Sequence, residues 1–181
     1  MPTDHLTAGL ALPRISLTAT GDSDVCLATL PGRSVIAVYP WTGVPGQPNP
    51  PRWDDIPGAH GSTPELEGFR DAADGFTHCG VTLFGLSGQD RDYQQELAER
   101  LALNFQLLSD VDGRFATALA LPKFTSGEES YLKRLTLVVG DGCIEKLFYP
   151  VLDPGAHAAE VLGFLTKFQS PSASSSASST E

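Results

Sequence analysis

The chain has little cysteine, little positive charge and no long apolar run, and each shortage removes a class of function. Three cysteines, Cys26, Cys79 and Cys143, stand far apart in 181 residues, with no CxxC pair among them. An odd count without short spacings argues against a closed disulfide framework or a zinc site. Isolated thiols of this kind usually behave as small buried hydrophobes. Twelve Lys and Arg face 22 Asp and Glu, a formal charge of −10. That sign is wrong for gripping a nucleic-acid backbone, which needs clustered cations to release its counterions. No stretch approaches the roughly 18–20 apolar residues of a membrane span, and the opening Met1-Pro2-Thr3-Asp4-His5-Leu6 lacks the basic and apolar regions of a secretory signal. The expectation is a cytoplasmic protein with no nucleic-acid and no membrane partner.

What is present suits one α/β domain and a tail. Hydrophobic residues make up 41% of the chain and charged residues 19%, enough apolar material for a core and too little charge for a disordered polymer. Residues 169–181 are almost entirely Ser, Ala, Thr and Pro and read as a disordered tail, leaving residues 1–168 as the domain. The first dozen residues are poorly patterned and read as loose. Arg14–Ala19 and Asp24–Thr29 suit short strands, and Ser34–Tyr39 is an apolar run suited to a central strand buried on both faces. Leu66, Phe69, Ala73 and Phe76 recur at helical spacing. A strand at Gly80–Leu86 follows, then a helix striped by Tyr93, Leu97 and Leu101 whose Asp92, Glu96, Glu99 and Arg100 form a solvated face. A short strand at Phe105–Leu108 and a short helix at Gly113–Leu119 precede two strands, Arg134–Val139 and Cys143–Tyr149. Gly140-Asp141-Gly142 joins them as a hairpin, and a helix with Ala158, Val161, Leu162, Leu165 and Phe168 on one face closes the domain. Asp110-Val111-Asp112-Gly113 lacks the later ligands of a calcium loop and reads as a turn and helix start, so neither metal nor cofactor is expected.

Between Trp41 and Gly61 the pattern stops. Pro45, Pro48, Pro50, Pro51 and Pro57 with interspersed glycines exclude helix and central strand, so this is a long loop directly after the central strand, a place where sites are found.

Separated segments agree in order with one family. Tyr39-Pro40-Trp41-Thr42 ends the central strand, Gly61-Ser62-Thr63-Pro64 opens a helix continuing Gly68-Phe69-Arg70-Asp71, and Val81-Thr82-Leu83-Phe84-Gly85-Leu86-Ser87, Leu108-Ser109-Asp110 and Lys133-Arg134-Leu135-Thr136 follow. Over residues 8–168 the chain resembles the AhpC/TSA (redoxin) peroxiredoxins, most of all the bacterioferritin-comigratory type with a long loop. The resemblance implies a thioredoxin-like fold: a central mixed sheet flanked by helices, ending in a hairpin and a helix. It also implies a thiol peroxidase site, and there the chain departs: Ser62 and Glu67 occupy the two cysteine positions, while Arg134 falls where the family keeps the Arg that stabilises its thiolate.

A hydroxyl is not ionised near neutral pH and cannot follow sulfur to sulfenic acid, so peroxidase turnover at Ser62 is excluded chemically. The leading expectation is a peroxiredoxin-like protein that uses the remaining pocket, formed by Ser62, Arg134, Thr42 and His60, for an anionic or oxygen-rich small molecule, as a non-redox enzyme or a ligand-binding pseudoenzyme. Two rivals stand beside it: a thiol peroxidase acting through Cys79, Cys26 or Cys143, and a non-catalytic interaction protein, with a homodimer through surfaces that peroxiredoxins commonly use. Simpler readings compete at single residues. Ser62-Thr63-Pro64-Glu65 fits a capping box, His60 with Asp54 or Asp55 is more often a solvent-facing pair than part of an acyl-transfer triad, and Trp41 and Trp53 either anchor the loop or wall an aromatic pocket.

Overall fold

In the computed structural model, residues 1–167 are described; the expected tail at 169–181 and Phe168 lie outside them. Seven strands form one mixed sheet in the order β2-β1-β5-β4-β3-β8-β9. These are β1 (Ser16–Ala19), β2 (Val25–Cys26), β3 (Arg33–Val38), β4 (Val81–Ser87), β5 (Gln106–Ser109), β8 (Leu135–Gly140) and β9 (Cys143–Phe148). β3 runs parallel to β4 and antiparallel to β8, with Ile36 opposite Phe84 on one side and Leu137 on the other. Its central position follows from its composition. Val35 and Ala37 face a layer with Phe69, Phe76, Val138, Val161 and Leu165, while Ile36 and Val38 face Leu86, Leu108, Phe115 and Leu137. Alternate residues of one continuous apolar run therefore fill two cores. The expected thioredoxin-like fold is what the chain adopts.

Helices cover both faces: α1 (Ser62–Asp71), α2 (Ala73–His78), α3 (Arg91–Arg100), α4 (Arg114–Ala118) and α5 (His157–Lys167). The single helix expected through Leu66 and Phe76 is interrupted. At Ala72 ψ rises to 1°, and two shorter helices result. Phe69 and Phe76 still meet, with ring centroids 5.6 Å apart, because both bury in the layer under α5. The strand expected at Asp24–Thr29 shrinks to two residues before a 3-10 turn at Leu27–Thr29.

Two further expectations are corrected. The first dozen residues are not loose: Leu6 and Leu12 are buried, Gly9 and Leu12 donate to the carbonyls of Ile144 and Gly142, and Ile144 donates to Leu10. They run along β9 and occupy hydrogen-bonding groups that an edge strand would otherwise present to other chains. The segment between α4 and β8, left without structure by the pattern, is a hairpin of β6 (Lys123–Ser126) and β7 (Glu129–Leu132) turned at Gly127-Glu128. Its strands are short and largely polar, so alternation was weak, but Phe124 and Tyr131 stand opposite one another.

The hairpin at Gly140-Asp141-Gly142 forms as read, with Asp141 and Gly142 both at positive φ between β8 and β9. A Cβ at Gly142 would lie 2.1 Å from the Ala28 carbonyl, so glycine is required there by contact as well as by backbone conformation. Asp110 starts α4 as expected, its two carboxylate oxygens accepting from the N–H groups of Phe115 and Ala116 at 3.0 and 2.8 Å.

Phe76 is fully buried between the sheet and α5. Phe76→Ala is expected to lower stability by about 3–5 kcal/mol through lost transfer energy and a residual cavity. Val111→Ala, at a residue 65% exposed, is expected to stay within about 0.5 kcal/mol. Urea denaturation of the two variants checks the contrast.

Candidate functional site

The loop after β3 returns to the sheet at α1, and the junction is fixed by Gly61. Its φ of 111° lies in the region that favours glycine, and a Cβ there would meet the Pro154 ring at 2.6 Å. Ser62 is the first residue of α1 and is buried. Its Oγ accepts a hydrogen bond from Arg134 Nη2 at 3.1 Å.

The capping-box reading of Ser62 is therefore corrected. Gly61 holds the cap position and makes no side-chain cap bond, and the Glu65 N–H bonds the Gly61 carbonyl as an ordinary helical turn. The Glu65 side chain does not return to the helix start because a stronger partner lies inside: its Oε2 accepts from Arg134 Nη1 at 3.0 Å, with both side chains buried. In a low-dielectric interior a charge-assisted bond between two ionisable groups outweighs a cap bond to a neutral N–H.

Arg134, one residue before β8, organises the site. Besides Ser62 and Glu65, its Nη2 donates to the carbonyls of Gly58, Ala59 and His60 at 3.4, 3.4 and 3.1 Å. One guanidinium thus ties the end of the long loop to the start of α1. The Glu65 carboxyl is pushed up from 4.5 to about 7 by burial, against the pull of Arg134. Among the described residues, Arg134 Nε and Glu65 Oε1 are buried without a hydrogen-bond partner.

The other expected site residues are placed differently. Thr42 is buried on the opposite wall and engaged with Gln89: its N–H and hydroxyl both donate to Gln89 Oε1 at 3.1 Å. Its carbonyl accepts from Gln89 Nε2 at 3.1 Å and from the Tyr93 hydroxyl at 2.8 Å. Thr42 clasps the loop to the β4–α3 region and does not touch Arg134 or Ser62 by any hydrogen bond among the described residues. His60 is largely exposed and pairs with Asp54 through Nε2. The imidazole–carboxylate half of a triad exists, but no hydrogen bond joins His60 to the Ser62 hydroxyl among the described residues, so a nucleophilic triad is not assembled.

Thr42, His60 and Ser62 nevertheless line one cleft of about 480 Å³, together with Trp41, Trp53 and Arg100. Arg134 does not line this cleft; it lies behind Ser62 and reaches it only through the hydrogen bond to the Ser62 Oγ. Arg100 lies on the exposed face of α3 as expected, and from there its guanidinium donates to the Gly43 carbonyl at 3.1 Å and to Glu96 at 2.8 Å. Trp53 anchors the loop as one of the two aromatic readings expected. It is buried edge-on against Tyr131 at 5.1 Å and tilted against Phe124 at 5.6 Å, while Trp41 packs on it at 5.4 Å and forms part of the cleft wall. Ser126 adds a hydrogen bond to the Pro51 carbonyl.

Sequence reasoning missed Gln89 and the β6–β7 hairpin as determinants of the cleft. The only local signal for Gln89 was its place just after β4, next to Gly88. The cysteines lie elsewhere, on β2, at the end of α2 and at the start of β9, and none lines the cleft.

The raised Glu65 value has a defined pH consequence. Between about pH 4.5 and 7 the folded protein keeps a proton on Glu65 that the unfolded chain has lost, so this group lowers stability as pH rises through that window and is neutral below it. Urea unfolding at about pH 5 and about pH 7.5 is expected to show a larger fall for the wild type than for Glu65→Gln. Equal pH dependence of the two proteins would mean that Glu65 titrates as an ordinary carboxylate.

Comparison with known proteins agrees with this architecture. Residues 7–162 match the family Redoxin. Peroxiredoxin Q, chloroplastic, of Oryza sativa subsp. japonica is 26% identical over 161 residues, spanning 88% of this chain and 67% of that protein. Among solved structures, the bacterioferritin comigratory protein of Xanthomonas campestris superposes with a TM-score of 0.72 at 22% identity, covering 90% of this chain and 99% of that one. Peroxidoxin BcpB of Mycobacterium tuberculosis gives 0.73 at 23% identity, covering 92% and 100%. With the family model matched over residues 7–162 and the fold shared over about nine-tenths of the chain, the chain belongs to the Redoxin family and is peroxiredoxin-like.

Proposed function

We propose that this chain binds a small anionic or oxygen-rich molecule in the Ser62 cleft, as a non-redox enzyme or a ligand-binding pseudoenzyme, and has given up cysteine peroxidase chemistry at that position. The observation that carries the reading is a hydroxyl, not a thiol, at the first turn of α1 under the Arg134 guanidinium. A helix N-terminus and a cation depress the pKa of a thiol enough to make it a peroxide nucleophile. The same surroundings leave an alcohol protonated, and oxygen has no counterpart of the sulfenic acid that the thiol would become. What they do favour is negative charge or an acceptor oxygen: the start of α1 and the Arg100 rim line one cleft, with the Arg134 guanidinium behind Ser62 and bonded to its hydroxyl.

The relatives are named as peroxiredoxins, and the Xanthomonas campestris protein is described for alkyl peroxide reduction. Carrying that activity over to this chain would require Cys26, Cys79 or Cys143, each half-buried and outside the cleft.

Thiol-dependent turnover of an organic hydroperoxide is expected to be at background for the wild type and equally so for a variant lacking all three cysteines. Turnover that disappears in that variant would establish the relocated-cysteine reading instead. Ser62→Cys is expected to restore a reactive thiol that labels with a sulfenic-acid probe after dilute peroxide. An inert thiol at that position would mean that the cleft does not activate anionic groups. Ser62→Ala is expected to weaken the binding of small carboxylates by about tenfold or more, the usual scale of one hydrogen bond involving a charged group.

A further inference from the structure

Sharing His60 with the Ser62 cleft, a second cavity of about 530 Å³ opens in the molecule. Its walls are apolar: Ile56 comes from the long loop, Phe124 from β6, and Tyr149 and Val151 from the segment between β9 and α5. Among the described residues, the only ionisable nitrogens on its lining are those of Lys133, Arg134 and His60, and no carboxylate lines it. In a chain with 22 acidic and 12 basic residues, a concave apolar surface bearing cationic groups and no acid is a local inversion of charge.

The three nitrogens are not equivalent. Arg134 is committed to Glu65 and to the carbonyls of the loop, and His60 is paired with Asp54. Lys133 is half-buried, its backbone N–H is used by the Pro122 carbonyl, and no carboxylate meets its ammonium among the described residues. A lysine in that position is the one uncompensated charge beside a large apolar surface. Its complement is a ligand with a single negative charge and an apolar body, and the volume falls within the range of small-molecule sites.

We propose that this cavity is a separate binding site for an amphipathic monocarboxylate, with the carboxylate on Lys133 and the hydrocarbon body against Ile56, Phe124, Tyr149 and Val151. Charge complementarity fixes the head group and the apolar walls fix the tail. The long loop supplies one wall of each site, so the two cavities share His60 while presenting different residues to their ligands. The assignment does not depend on what the Ser62 cleft binds.

Calorimetric titration of the full chain with octanoate, octan-1-ol and acetate tests it. Octanoate is expected to bind at least about tenfold more tightly than octan-1-ol or acetate, since it alone satisfies both the charge and the apolar wall. Lys133→Gln is expected to reduce octanoate to the level of octan-1-ol while leaving octan-1-ol unchanged, and Lys133→Arg to restore octanoate. Val151→Asp is expected to abolish binding of both eight-carbon probes. Octanoate binding that is absent, or that survives Lys133→Gln undiminished, would overturn the proposal. Ser62→Ala distinguishes this site from the cleft: octanoate affinity within about twofold of wild type is expected, whereas a tenfold loss would merge the two cavities and refute a separate site.

Discussion

The arrangement of the functional region depends on one buried cation. Arg134 is placed by β8, next to the central strand, and from there reaches three carbonyls at the end of the long loop, the carboxylate of Glu65 and the hydroxyl of Ser62. Burying a guanidinium without partners would cost several kcal/mol, so the loop must approach closely enough for its carbonyls to solvate it. The loop's closing geometry is thus set by the need to satisfy a charge held in the core. A buried ion pair is weak evidence for net stability, and its clearer role here is positional. Arg134 Nε and Glu65 Oε1, without partners among the described residues, mark the part of that polar cluster where not every donor is matched to an acceptor.

A second constraint acts from the outside of the loop. A segment of about twenty residues rich in proline has little backbone hydrogen bonding of its own, and its position must come from side chains. Three fastenings supply it. Gln89 and Tyr93 hold Thr42 at the start, Trp53 docks on Phe124 and Tyr131 of the β6–β7 hairpin in the middle, and Arg134 closes the end. Each fastening is far from the next in sequence, and together they open one cavity toward Ser62 and another toward Lys133. The same tethering explains why Thr42 serves the loop more than the cleft: its hydroxyl and both backbone polar groups are already used.

The family resemblance and the local chemistry bear on different questions. The fold belongs to the sheet and its two cores, and it is shared with peroxiredoxin Q-type proteins at identities too low to transfer chemistry. The chemistry belongs to what stands at the first turn of α1. A hydroxyl under Arg134 lacks the ionisation and the oxidation states of a thiol.

The sequence by itself determined the architecture wherever one residue's role is set by its own periodic neighbours. The apolar run of β3, the stripe of α5, the two-residue turn at Asp141-Gly142 and the Asp110 helix start were all legible, because burial pattern and turn chemistry act over a few residues. It also exposed Ser62 and Arg134, since the segments flanking them keep their order. Only the tertiary structure decided how those residues are used. That Glu65 pairs with Arg134 and not with the helix start, that Arg100 reaches the Gly43 carbonyl, that Gln89 takes Thr42, and that a polar hairpin holds Trp53 are outcomes of contacts between residues far apart in the chain. Such contacts leave no periodic trace, because charge pairing and aromatic packing depend on separation in space, and the fold alone sets that separation.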